Sequence, residues 1–316
     1  MAKTKEISRR IKSVTSTKKI TRAMEMVAAS KMRKAIEAVL KTRTYANLSW
    51  ETVLHLSKNS KNQSKSSLHP LLTKRNEIKK AAVILITSNR GLCGAYNSAV
   101  INKVKESIKK YPDVSVEFIL VGKKGEIVYS QKQTVAAQFP KSDLLSDAQE
   151  VDPIVNLAIQ DYLSGKYDKV FVAYTDFVSA VSQIPRMKQL LPIDIDSEDG
   201  YLGIVADPKI GVDRKLIMEK EKKHLDSQSG QEYIFEPSPE EVLDQMIPRL
   251  LAVQIYQAML EANASEHSAA MTAMHQATEA ATDMVKELTL FYNKARQASI
   301  TAEIAEISAG ANALAD

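Results

Sequence analysis

The chain has 316 residues, a formal net charge of +5 and a single cysteine, Cys93. It is long enough for one large domain or two ordinary ones, and it cannot form an internal disulfide or a Cys-based metal cluster. No apolar run approaches the roughly 20 residues that cross a bilayer, and we expect no secretory signal at the amino terminus. Hydrophobic residues make up 44% of the chain but aromatic residues only 6%, which favours long helices over a turn-rich β fold.

Charge is distributed unevenly between the two ends of the chain. Bases far outnumber acids between residues 3 and 43, and acids outnumber bases between residues 240 and 316. The exceptions in the first segment are Glu6, Glu25 and Glu37, and those in the second are Arg249, Lys286, Lys294 and Arg296. Segments of opposite charge attract each other, so this pattern indicates that the two ends lie side by side.

The amino-terminal segment is predicted to be one helix over residues 4–57, on the order of 80 Å long. No proline precedes Pro70 and no glycine precedes Gly91, so nothing before them breaks a helix. The stretch SKNSKNQSKSS that follows is predicted to be an exposed loop. An apolar stripe recurs at helical spacing through Ile7, Ile11, Val14, Ile20, Met24, Val27, Ala35 and Ala38.

The carboxy-terminal segment is predicted to be a second, longer helix. It begins at PSPEE, where Ser238 supplies a cap and Pro239 occupies the first helical position. The seam residues, spaced by three and four, are Met246, Leu250, Val253, Leu260, Ala264, Met271, Met274, Ala281, Val285, Leu288, Tyr292 and Ala295. This spacing is typical of a coiled coil, and the basic amino-terminal helix is the expected partner.

The middle of the chain alternates between strands and helices. AAVILITS, VSVEFILVG and KVFVAYTDF are predicted strands, with amphipathic helices between them, and Pro185 favours an edge strand after the third. We therefore predict an α/β fold in which a Rossmann-like domain is inserted between the helices of a long antiparallel coiled coil. The predicted bounds are 1–60 and 238–316 for the coiled-coil helices, 75–195 for the α/β domain and 196–235 for a loop.

The motif SNRGLCGAYN follows a buried strand, where Rossmann-type folds bind phosphates. Its two glycines, Gly91 and Gly94, match neither a dinucleotide-binding nor a P-loop spacing, so we interpret the motif as a tight turn with Cys93 packed inside it. VGKKGE is likewise predicted to be a plain turn. The five histidines show no metal-ligand spacing, and no catalytic constellation is evident. We expect no cofactor.

Two functions remain open at this point. The chain could be a nucleotide-dependent α/β enzyme with a helical oligomerisation arm, which predicts ATP binding by the isolated protein. It could instead be a basic coiled-coil adaptor for nucleic acid. The apolar and alanine-rich stripe of AMEMVAASKMRKA disfavours this function, because a face that contacts phosphates should be polar and charged.

Three segments carry a family resemblance. KEISRRIKSVTSTKKITRAMEMVAASKMRKA, TSNRGLCGAYN and LTLFYNKARQASITAEIAEI resemble the gamma subunit of F-type rotary ATP synthase. The resemblance implies a non-catalytic rotor stalk that couples proton-driven rotation to the catalytic beta subunits. It also implies alpha and beta subunits, an epsilon subunit and a ring of c subunits as partners, and a peripheral location on the cytoplasmic face of the bacterial plasma membrane. No nucleic acid is expected, and the membrane is reached only through the complex.

The resemblance also implies which residues contact the beta subunits. Met24 matches the coupling position of the family's first helix, although packing in the seam would also explain it. Ala270 stands where the family commonly has arginine, so one expected polar contact is missing. The full predicted contact set is Lys18, Lys19, Arg22, Met24, Arg296, Gln297, Thr301 and Glu303.

Overall fold

The computed structural model describes residues 2–63, 69–73, 75, 77–129, 134–145, 147–193 and 239–313. The chain divides into two compact units. One unit joins the two ends of the chain, Met1–Ala28 and Ala270–Asp316, and the other holds Ala29–Ala269. The predicted loop over 196–235 and the predicted cap Ser238 lie outside the described residues.

Two long helices form the ends of the chain, α1 (Ala2–Gln63) and α5 (Pro239–Ala313). Helix α1 continues past its predicted end at residue 57, so the first part of SKNSKNQSKSS is helical and the loop prediction was wrong there. Its Ser, Lys, Asn and Gln residues each cost less than about 0.7 kcal/mol in a helix, and no glycine or proline interrupts them. The rest of that predicted loop lies outside the described residues.

A five-stranded sheet forms the centre of the unit Ala29–Ala269, with the order β3-β2-β1-β4-β5. The strands are β1 (Lys80–Ile86), β2 (Ser115–Val121), β3 (Val135–Phe139), β4 (Lys169–Phe177) and β5 (Gln183–Leu191). The first four are parallel, and β5 is an antiparallel edge strand in which Pro185 lies opposite Thr175. The predicted α/β class and the edge strand are confirmed.

Both faces of the sheet are covered, which is why β1 is a continuous apolar run. Val83 and Leu85 point to the face covered by α2 (Tyr96–Lys109) and α3 (Lys123–Tyr129). Ala82, Ile84 and Ile86 point to the opposite face. That face packs against α4 (Asp152–Leu163) and against the parts of α1 and α5 within this unit, through Ile36, Val39, Ile154, Ile247, Leu250 and Ile255.

The segment VGKKGE is not a plain turn, because α3 begins directly at Lys123. Gly122 precedes it with φ +90°, and a Cβ atom there would lie 2.2 Å from the carbonyl oxygen of Thr87. The Gly125 amide donates to Thr87 Oγ1 at 2.9 Å. The glycines therefore allow the end of β2 and the start of α3 to approach the end of β1, and the helix follows without a loop.

Candidate functional site

The two chain ends form an antiparallel pair of helices in the unit Met1–Ala28 with Ala270–Asp316. Thr278 Oγ1 donates a hydrogen bond to Thr21 Oγ1 at 2.8 Å, and His275 Nδ1 lies 3.2 Å from Glu25 Oε1. The residue number rises along α1 while that of its partner falls, which defines the antiparallel direction. The shielded positions of α1 recur at alternating steps of three and four: Thr4, Ile7, Ile11, Val14, Lys18, Thr21, Glu25 and Ala28.

The facing stripe of α5 follows the sequence prediction. The buried or half-buried positions are Met274, Thr278, Ala281, Val285, Leu288, Tyr292, Ala295 and Ser299. The predicted seam is confirmed at Met274, Ala281, Val285, Leu288, Tyr292 and Ala295. The seam therefore combines an apolar stripe with a hydrogen-bonded threonine pair in its middle.

The predicted apolar stripe of α1 was wrong at three positions after Val14, whereas Ala35 and Ala38 pack in the core of the unit Ala29–Ala269. Ile20, Met24 and Val27 are 60%, 41% and 57% exposed, so they do not continue the seam. The seven-residue repeat from Val14 passes instead through Thr21 and Ala28. The seam positions of this region include the polar residues Thr21 and Glu25, which have polar partners on α5. Seam packing thus does not explain Met24, which belongs to an exposed apolar face of α1.

The predicted contact residues occupy two separate segments of the chain ends. Lys19, Arg22 and Met24 are exposed on α1, whereas Lys18 is half-buried at a seam position. Arg22 forms an ion pair with Glu25 at 3.0 Å. The other four, which are Arg296, Gln297, Thr301 and Glu303, are all exposed on α5.

The distance between these two segments follows from the pairing. Thr21 faces Thr278, and Arg296 lies eighteen residues further along α5, which at 1.5 Å per residue is about 27 Å. The structure therefore keeps the two sets at different levels of the helix pair. A single partner loop cannot contact both sets at once unless it spans that distance.

The last part of α5 extends beyond its pairing with α1. Since 21 and 278 sum to 299, Ala2 at the start of α1 lies opposite residue 297. Every described side chain from residue 300 to residue 309 is exposed. Ile300, Ile304 and Ile307 are 48%, 62% and 72% exposed and share one helical face. An apolar stripe exposed in this way indicates a surface that a partner covers.

The turn after β1 satisfies its own polar groups. The Ser88 amide donates to Asn97 Oδ1 at 3.0 Å, and Asn97 Nδ2 donates to Ser88 Oγ at 2.7 Å and to Cys93 Sγ at 3.2 Å. Leu92 and Gly94 adopt positive φ angles of 66° and 55°. Cys93 is buried, and that burial raises the pKa of its thiol. The predictions of a tight turn and a packed cysteine are confirmed.

Helix α5 fills the crevice at the carboxyl ends of the strands, where open α/β sheets bind ligands. Its side chains donate to carbonyl groups of the loops after β3 and β4 and of β4 itself. These bonds run from Asn263 to Ser142 at 3.0 Å, from Ser265 to Thr175 at 3.0 Å and from Ser268 to Ala180 at 2.6 Å. A nucleotide in this crevice would have to displace the helix, which disfavours the enzyme alternative.

A buried ion pair anchors the same contact. The Lys141 ammonium group bonds to the Glu266 carboxylate, and the Lys141 side chain is 1% exposed. It also lies 5.5 Å from the centre of the Tyr96 ring, and Asn89 Nδ2 donates to the Lys141 carbonyl at 2.7 Å. The motif SNRGLCGAYN therefore positions Lys141 against α5. Sequence spacing gave no signal for this pair, because its members are far apart in the chain.

Neither a metal site nor a membrane span is found in the described part of the chain. No group of three or more His, Cys, Asp or Glu side chains there could hold a metal ion. None of the described helices combines the length and the apolar character that a bilayer crossing requires. The candidate functional surface is the exposed part of the two chain ends, which includes the apolar stripe of Ile300, Ile304 and Ile307.

Comparisons with known proteins match the whole chain. A family model described as ATP synthase matches residues 3–314. The ATP synthase gamma chain of Herpetosiphon aurantiacus is 39% identical, with 99% of both chains covered, and that of Flavobacterium psychrophilum is also 39% identical with 99% of both covered. A chain of the Euglena gracilis mitochondrial ATP synthase OSCP/F1/c-ring structure is similar in fold, with a TM-score of 0.63 at 16% identity over 99% of this chain and 95% of that one. A chain of the Tetrahymena thermophila mitochondrial ATP synthase central stalk/c-ring structure gives a TM-score of 0.57 at 23% identity, over 82% and 99%.

Proposed function

Because this chain belongs to the ATP synthase gamma chain family, we propose that it is the central rotor stalk of an F-type ATP synthase. In this role it couples proton-driven rotation of the membrane ring to ATP synthesis or hydrolysis. Catalysis resides in the beta subunits, and the stalk itself is not an enzyme. The observation that carries the proposal is the antiparallel helix pair whose longer helix extends past its partner as an exposed apolar stripe.

The mechanism is mechanical. A shaft of two unequal helices presents a different surface in each direction, so its angle biases each beta subunit toward a different nucleotide affinity. The partners are the alpha and beta subunits around the chain ends, and the epsilon subunit and the c-subunit ring at the α/β domain. The complex lies on the cytoplasmic face of the bacterial plasma membrane, and this chain is a peripheral part of it.

We assign the contacts to the beta subunits to two levels of the helix pair. Lys19, Arg22 and Met24 form the level on α1, with Lys18 beside them at the seam. Arg296, Gln297, Thr301 and Glu303 form the level on α5. All of these residues except Lys18 are exposed, and about 27 Å of helix separates the two levels.

The exposed end of α5 acts as a bearing. Ile300, Ile304 and Ile307 alternate with few charges, so contacts there are apolar and have no fixed direction. Strong ion pairs would favour particular angles, because charge-assisted hydrogen bonds are strong and need a defined geometry. An apolar stripe with few charges lets the stalk rotate over lower energy barriers.

The proposal is tested by replacing Met24 with lysine. Met24→Lys adds a positive charge at the exposed apolar face without entering the seam, so folding is retained while coupling decreases. ATP-driven proton pumping by inverted membranes, normalised to ATP hydrolysis, is expected to fall several-fold. Met26→Lys is the matched control, since Met26 is also exposed but lies about 200° away around the helix. Equal pumping by wild type and Met24→Lys would contradict the role of this face.

Affinity purification tests the assembly itself. The tagged full chain is expected to co-purify with alpha and beta subunits, and the purified chain alone is expected to show no ATP hydrolysis. Hydrolysis by the chain alone would favour the enzyme alternative, and recovery of nucleic acid in place of those subunits would favour the adaptor.

A further inference from the structure

Two carboxyl groups are completely enclosed where α5 crosses the sheet. Asp176 lies near the end of β4 and Glu261 lies on α5, and both residues are 0% exposed. One turn further along α5, Ser265 Oγ donates to the Thr175 carbonyl at 3.0 Å, which brings Glu261 against this end of β4, and Asp176 contributes to the raised pKa of Glu261. Arg186 of β5 approaches the pair, with its Nε 2.7 Å from Asp176 Oδ2. Among the groups in this contact, two acids thus share one guanidinium group.

Three oxygen atoms of this pair lack a donor among the described residues. They are both carboxyl oxygens of Asp176 and the Oε2 atom of Glu261. The contact from Arg186 is short but its N–H is not aligned as a hydrogen bond, so it compensates charge without satisfying an oxygen. A buried carboxylate without a donor is costly, and such groups bind a proton instead.

We propose that Asp176 and Glu261 hold one proton between them, and that this shared proton is a latch that fastens α5 to the sheet. The proton resides on Glu261, because the guanidinium group of Arg186 contacts Asp176. Glu261 then donates to Asp176 and supplies the missing hydrogen bond. Burial, followed by the neighbouring Asp176 carboxylate, raises the pKa of Glu261 well above its usual range.

The latch is part of a chain of polar contacts that crosses four elements. Thr42 Oγ1 of α1 donates to Gln257 Oε1 at 2.7 Å, and Gln257 Nε2 donates to Glu261 Oε1 at 3.2 Å. Glu261 continues the chain to Asp176 on β4, which contacts Arg186 on β5. The proton therefore closes a connection between both terminal helices and the edge of the sheet, within the unit Ala29–Ala269.

Two further titratable groups act on the pair. The phenol of Tyr174 on β4 is buried, and the two carboxyl groups together with that burial raise its pKa, so it stays neutral. Lys188 on β5 lowers the pKa of Glu261, but its effect is smaller than those of burial and of Asp176. The balance of these groups favours the protonated pair.

Proton linkage gives the pH dependence of the latch. Unfolded glutamate ionises near pH 4.3, at about its reference pKa, whereas the enclosed group keeps its proton to higher pH. The stabilisation is therefore complete below about pH 4.3 and is lost as the pH rises toward the folded pKa. In that interval, opening of the latch releases a proton, and its equilibrium constant rises by up to about tenfold per pH unit.

Hydrogen exchange of the full-length chain tests this inference. Protection factors, corrected for intrinsic exchange, are measured between pH 6 and pH 9 in the peptide 254–268 of α5, with peptide 281–299 of the same helix as an internal reference. In the wild type, protection of the first peptide is expected to fall by up to about tenfold per pH unit relative to the second. Glu261→Gln, whose amide donates permanently to Asp176, is expected to remove this slope. Glu287→Gln, at an exposed position of α5, is expected to keep it.

Several outcomes would overturn the latch. A flat wild-type profile excludes it without any variant, so a variant that fails to fold does not prevent the test. An equal slope in Glu261→Gln assigns the dependence to another group. If EDTA lowers protection in the wild type and not in Glu261→Gln, a bound metal ion takes the place of the proton. The readout is local protection, so it is independent of the proposed rotor function.

Discussion

Helix α5 is packed in two different ways along its length. Over residues 250–265 nearly every side chain is buried. Over residues 281–299 most side chains outside one stripe are exposed. The first stretch lies in the α/β unit and has neighbours on all sides. The second has a single partner helix. The comparison teaches that two stretches of one helix can differ in what they do: the enclosed stretch is fixed in place, and the paired stretch retains a free surface.

The polar residues follow the same division. In the enclosed stretch Gln257, Glu261, Asn263 and Ser265 are all buried, and each has a polar partner or neighbour within the unit. In the paired stretch most polar side chains face outward. Buried polar groups are costly unless they are hydrogen-bonded, so the enclosed stretch specifies its position through these bonds.

The largest effect is expected from breaking the buried ion pair. Lys141→Met leaves the Glu266 carboxylate without its cation in an enclosed position, and removal of one partner of such a pair costs about 3–5 kcal/mol. Equilibrium denaturation of the full chain, followed by circular dichroism, measures the loss. The double variant Lys141→Met/Glu266→Gln is expected to recover most of it. A loss below about 1 kcal/mol in the single variant would show that the anchor is not needed to hold the enclosed stretch.

A matched pair of isoleucines on α5 measures the contrast between the two regions directly. Ile255 is 1% exposed in the core and Ile304 is 62% exposed. Ile255→Ala is expected to lower the free energy of unfolding by about 2–4 kcal/mol, because it leaves a cavity. Ile304→Ala is expected to change it by no more than about 0.5 kcal/mol. Both changes are measured by equilibrium denaturation. Similar losses of unfolding free energy for the two substitutions would contradict the distinction between the enclosed and the paired stretch.

The smallest effect is expected inside the helix pair. Thr278→Val removes the hydrogen bond to Thr21 while keeping the shape of the side chain, and we expect a loss of about 1 kcal/mol. Thr21 retains a bond to the Lys18 carbonyl, which limits the cost. Thr289→Val is the control, because its hydroxyl bonds only to its own helix at Val285. Thermal unfolding compares the two, and an equal change in both would show that the threonine pair does not fix the register.

Much of the fold followed from local patterns. The absence of glycine and proline predicted both long helices, and the apolar runs of β1, β2 and β4 predicted a mostly parallel sheet with an edge strand at Pro185. Local rules failed where a helix end or start depended on packing. Helix α1 passed through a serine-rich and lysine-rich stretch, and α3 began at VGKKGE because Gly122 and Gly125 pack against Thr87.

The sequence predicted which residues belong to the candidate surface, but it did not predict how they are arranged in space. The resemblance named Met24 and the group around Arg296, yet it did not show that Met24 leaves the seam or that the two sets lie about 27 Å apart. The seam takes Thr21 and Glu25 because α5 supplies partners for them. The sequence of α1 alone does not contain this information, because Ile20 and Met24 are more apolar than Thr21 and Glu25 and are therefore the expected seam residues.

The sequence by itself determined which segments are helices and strands, because backbone preference and periodicity are local properties. It also identified the family, because long motifs that resemble this family occur at both ends of the chain. Only the tertiary structure decided which helix face is covered, which crevice α5 fills and where Asp176 meets Glu261. The physical reason is that burial and charge pairing depend on distances between segments remote in the chain, and these distances exist only once the chain has folded.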